Sequence, residues 1–113
     1  MLTIEKLEQY GANTAEGLGR CFGNESLYFR LVGMIPGEAN FPKLQESVKA
    51  GDLDTGFEAA HALKGVVSNL ALSSMLRPVE EITEKLRARE QADYTDLLAQ
   101  IEERRAALEE LCK

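Results

Sequence analysis

The sequence predicts an all-α protein, an antiparallel up-down-up-down four-helix bundle with short N-terminal helices. Three observations carry this reading. Apolar residues recur at three- and four-residue spacing along most of the chain, the pattern of helices with one buried face. No segment alternates apolar and polar residues with β-branched enrichment, so no strand is expected. The connections at 50–53, 71–74 and 89–94 are short, and short helix–helix loops make neighbours antiparallel.

The elements follow in order. Thr3 is placed to cap a short helix that stops near Tyr10-Gly11, and a second short turn spans Thr14 to about Arg20. Asn24 and Glu25 suit a helix start, where free backbone donors and the positive dipole end favour an acceptor and an acid. Leu27, Tyr28, Leu31, Val32 and Ile35 then fall on one stripe. Pro36-Gly37 interrupts it, and Phe41, Leu44 and Val48 form a further stripe ending at Gly51; one kinked helix or two pieces both fit. Asp52 caps the segment running from about Leu53 to Leu70. Ser73 or Ser74 opens the next helix, with Leu76, Val79, Ile82 and Leu86 facing inward. Pro78 is tolerated near a first turn but should bend a helix that starts as early as Ser73. Asp93 is the expected cap of the last helix, whose stripe is Leu97, Leu98, Ile101, Leu108 and Leu111.

At 113 residues the chain suits one domain, read as a helical lid at 1–22 and a bundle at 24–112. Hydrophobic residues make up 44%, enough for a packed core, so global disorder is not expected. The formal net charge of −6 argues against nucleic acid and against anionic membranes as partners, both of which reward a basic face. No apolar run reaches the roughly 18 residues that span a bilayer. Glu5 and Glu8 stand where a signal peptide would have its apolar stretch, so a cytoplasmic protein is expected. Cys21 and Cys112 are isolated and expected to be reduced. The chain has one histidine, which excludes a multi-His metal centre. Glu80, Glu81 and Glu84 lie close on one helix but lack the Glu-x-x-His pair of bundle metal sites; a solvated charged face is expected there.

The chemistry sits between Asp52 and Leu70. At about 100° per residue, Gly56, Ala59, Ala60, Leu63, Val67 and Leu70 gather opposite His61, so that side faces the core. The other side carries Phe57, His61, Lys64, Gly65 and Ser68 as one solvent-facing strip. A solvent-facing imidazole can attack a phosphoryl group through a ring nitrogen. Lys64, one turn on, brings an ammonium beside it that suits phosphoryl oxygens. Gly65 costs about 0.5–1 kcal/mol relative to alanine inside a helix, which points to something approaching closely beside the histidine. Phe57 is expected to be an exposed aromatic and, with Ser68, a contact for a partner. Gly56, on the core side, reads as a packing glycine.

The string His61-Ala62-Leu63-Lys64-Gly65, followed by VVSNLAL, resembles the signature of histidine-phosphotransfer domains of bacterial phosphorelays. That pattern is His, any residue, Leu, Lys, Gly, then a small residue and Asn-Leu before the helix ends. The layout of short helices and then a bundle is similar to the family over nearly the whole chain. Ala71 departs from the glycine often found after Asn-Leu, and Pro78 is unusual. The resemblance implies that His61 accepts a phosphoryl group from an aspartyl phosphate on a receiver domain and passes it to another receiver. It also implies response-regulator receivers and a hybrid histidine kinase as partners, with Mg²⁺ supplied by the receiver; a monomer is expected, although the sequence does not fix the oligomeric state. Nothing in the chain resembles a P-loop or a glycine-rich phosphate loop, so the histidine must be loaded by a partner. The rival reading is a helical docking module for a receiver or another helical partner, never itself phosphorylated.

Overall fold

Side-chain caps set most of the helix starts. The computed structural model describes residues 1–113, which form seven α-helices: α1 Ile4–Tyr10, α2 Thr14–Arg20, α3 Glu25–Met34, α4 Asn40–Lys49, α5 Leu53–Asn69, α6 Ser73–Arg87 and α7 Thr95–Leu111. There is no strand. Thr3 Oγ1 accepts from the Lys6 amide at 3.1 Å, Asn13 Oδ1 from Glu16 at 3.2 Å, Asn24 Oδ1 from Leu27 at 3.1 Å and Asp52 Oδ1 from Thr55 at 3.1 Å. Each such cap is worth about 1 kcal/mol. The bonds from Thr55 also hold the Asp52 carboxyl below the usual carboxylate range.

Between Asn24 and Gly51 the chain makes two helices rather than one. Ile35–Gly37 is a single 3₁₀ turn between α3 and α4. Proline fixes that turn because its ring sets φ and supplies no amide donor. α4 packs on α5, α5 on α6 and α6 on α7. Gln45 Nε2 on α4 donates to the Leu98 carbonyl on α7 at 2.9 Å, which ties the first of these helices to the last.

One core draws on every helix except α2, from Leu7 and Tyr10 through Tyr28, Leu44, Leu63 and Ile82 to Ile101 and Leu108. α1 and α2 close the end of the bundle where α5 turns into α6. The Asn13 amide donates to the Ala71 carbonyl at 2.9 Å, Ser74 Oγ to the Tyr10 carbonyl at 2.7 Å and the Tyr10 hydroxyl to the Arg104 carbonyl at 2.8 Å. Gly11 ends α1 at φ 108°, and a Cβ there would meet Ser74 Cβ at 2.6 Å. The fully buried Tyr28 donates its hydroxyl to the Leu70 carbonyl at 3.0 Å, and burial pushes its phenol up to about 12.

The structure corrects the readings of Leu76, Asp93 and Leu111 and starts α6 at Ser73, the earlier of the two expected positions. Leu76 is only partly buried, because Met75, Pro78 and Val79 take the inward positions beside it. Pro78 is the sixth residue of α6, well past the first turn, and leaves the Ser74 carbonyl without its usual helical donor. Tyr94, not Asp93, is the N-cap of α7, although Asp93 Oδ1 does accept from the Thr95 amide at 2.9 Å. Leu111 lies partly exposed at the end of its stripe.

Candidate functional site

α5 has two faces of different character. Gly56, Ala59, Ala60, Leu63 and Val67 are buried. His61 and Gly65 are exposed, and Phe57, Lys64 and Ser68 are half-buried. The core face is small-residue rich because α4 approaches closely: a Cβ on Gly56 would lie 2.8 Å from Val48 Cγ2. A Cβ on Gly65 would meet nothing within 4 Å. The outer glycine therefore relieves no contact inside the fold.

The His61 side chain makes no hydrogen bond or ion pair within the chain, so both ring nitrogens are free. Lys64 likewise has no carboxylate partner, although eight ion pairs form elsewhere on the surface. An uncommitted ammonium one turn from an uncommitted imidazole suits an incoming anion. Ser68 Oγ donates to the Gly65 carbonyl at 3.1 Å, so its proton is used by the helix and its lone pairs remain as acceptors.

Phe57 differs from expectation. It is half-buried against the core and stacks on His61, with ring centroids 5.6 Å apart and planes 21° apart. Arg87 Cζ and Arg89 Cζ lie 5.0 and 5.3 Å from the Phe57 centroid. Arg89 also bonds Asp54 and the Leu86 carbonyl, and Arg87 bonds Glu84 at 3.1 Å. Arg89 takes a left-handed backbone conformation, φ 52°, just past the end of α6. A non-glycine residue there is strained by about 1 kcal/mol. These arginines were not singled out from the sequence. The signal available was the short 70–72 connection, which brings the basic last turn of α6 beside the start of α5.

No group of three or more His, Cys, Asp and Glu side chains is placed to hold a metal ion, and no helix is long and apolar enough to cross a membrane. Cys21 and Cys112 are free thiols.

Residues 37–112, well over half of the chain and including the whole His61 strip, match the family model described as Hpt domain. The chain belongs to the Hpt family. Comparison with curated proteins and with solved structures gives no match. Hpt domains are helical phosphocarriers for histidine phosphotransfer in phosphorelays, where they meet receiver domains and kinases. Within this Hpt domain, Ala71 follows Asn69-Leu70 at φ 56°, a left-handed position that favours glycine. The frequent family glycine thus has a backbone reason, and Ala71 carries the strain in its place.

Proposed function

We propose that this Hpt domain is a phosphorelay intermediate with His61 as the phosphoacceptor. It takes a phosphoryl group from the aspartyl phosphate of one receiver, such as that of a hybrid histidine kinase, and gives it to the aspartate of another. The observation that carries this reading is an exposed imidazole without a hydrogen-bond or ion-pair partner, beside an unpaired Lys64 and an uncrowded Gly65. In the forward step a ring nitrogen of His61 attacks phosphorus. An N–P bond forms as the P–O bond to the receiver's aspartate breaks, and the aspartate leaves as a carboxylate. The second transfer reverses this order. Such a step needs in-line positioning and charge stabilisation more than proton transfer. Lys64 supplies positive charge from this side and the receiver supplies Mg²⁺ and its acidic pocket. Gly65 leaves room for the receiver to approach, and Phe57 and Ser68 flank the contact.

Residues 1–113 act as one unit in this reading, with 1–22 as the lid. α4 to α7 run up-down-up-down; support comes from Gly56, which has Val48 of α4 and Leu86 of α6 as neighbours, so the ends of those helices meet the start of α5. The carrier works as a cytoplasmic monomer.

Incubation with Mg²⁺ and phosphorylated receivers tests this directly. Acid-labile, base-stable label on the native chain and none on His61→Gln is the expected result. A groove of about 490 Å³, lined in part by Leu31, Met34, Val66 and Leu70, favours a second reading, a docking module without phosphate. Receivers that bind the native chain yet leave no label on it would select that reading.

A further inference from the structure

We propose that Phe57 is a positioning residue for the phosphoacceptor: its ring, clamped by Arg87 and Arg89, holds the imidazole of His61 by stacking. This rests on the phosphocarrier reading and adds to the docking role of Phe57. A working histidine is ordinarily aligned by a hydrogen bond from one ring nitrogen to a carboxylate or carbonyl. His61 has no such bond. Among ring stacking, hydrogen bonds and ion pairs, its one partner is Phe57, at 5.6 Å and 21°. Stacking occupies a face of the imidazole and leaves the in-plane lone pair of the nitrogen open, so the contact orients the nucleophile without consuming it.

Phe57 is itself held by its surroundings. Its ring packs partly against the core, and the two guanidinium groups stand 5.0 and 5.3 Å from its centre. Arg89 is fixed in turn by Asp54 and the Leu86 carbonyl, and Arg87 by Glu84. A line of contacts therefore runs from the end of α6 through Phe57 to the imidazole. An exposed histidine without it would distribute among several staggered rotamers. Aromatic pairs of this kind bias a population about 2- to 12-fold.

The test uses Phe57→Leu, which keeps apolar bulk against the core, and Phe57→Tyr, which keeps the ring. Single-turnover transfer from a phosphorylated receiver separates receiver affinity from the rate within the complex, and NMR reads the His61 ring protons on the unphosphorylated chain. Phe57→Leu is expected to slow the rate within the complex about 2- to 12-fold. Receiver affinity falls as well, as the docking role of Phe57 requires, so the positioning role is read from the rate within the complex and from the ring-current shift on His61, which should vanish. Phe57→Tyr should restore both rate and shift. Unchanged His61 resonances in Phe57→Leu would overturn the proposal. So would a defect lying wholly in affinity, which makes Phe57 a docking contact only. A native chain that takes no label fails the carrier reading instead, and the NMR arm tells the two failures apart because it needs no phosphate.

Discussion

The two faces of α5 each carry a glycine, and the two glycines answer to different demands. At Gly56 the missing side chain makes room for α4, because a Cβ would press to 2.8 Å from Val48 Cγ2 and 3.4 Å from Ser47 Oγ. At Gly65 the same absence makes room for nothing in the chain. Both weaken the helix by a similar amount relative to alanine. Only one recovers that loss through packing. A helix built for stability alone would carry a larger residue at 65; the fold explains Gly56 and leaves Gly65 to the proposed approach of a receiver.

Substitution at the inner glycine should give the larger effect on stability. Gly56→Val would force Val48 and α4 outward and is expected to destabilise the protein by about 2–3 kcal/mol in a denaturant titration. The molecules that remain folded should still transfer phosphate at the native rate. Native-like stability of this variant would break the comparison, because the inner face would then have slack to spare.

A smaller effect, of opposite sign, is expected where α5 ends. Ala71 sits at φ 56° and is almost fully buried. Ala71→Gly should stabilise by about 0.5–1 kcal/mol in thermal or denaturant unfolding, since glycine adopts this conformation without strain. Phosphotransfer should not change. A drop in transfer would mean that the turn after α5, and not its outer strip alone, sets the reaction.

Much of this division was legible in the sequence. Helical periodicity placed Gly56, Ala59, Ala60, Leu63, Val67 and Leu70 inside, and all six are buried. Thr3, Asn24 and Asp52 were readable as caps because the bond from a cap side chain spans only three residues. The misreadings involve distant partners or competing neighbours. Phe57 lies on the solvent side of the wheel, yet Arg87 at the end of α6 and Arg89 just past it stand over its ring. Leu76 and Met75 are adjacent apolar residues, and only the packing of α6 decides which turns inward. The strain at Ala71 was equally hidden, because the sequence names a small residue there but not its backbone angle.

Gly65→Ala tests the central claim most directly, with stability and transfer measured on one preparation. The outer face has space for the methyl group, so stability should rise by about 0.5–1 kcal/mol. The rate of phosphoryl uptake from a receiver should nevertheless fall by about tenfold, a loss of roughly 1.4 kcal/mol in transition-state stabilisation. A variant that is more stable and transfers as fast as the native chain would contradict the account, since the open space beside His61 would then serve no partner.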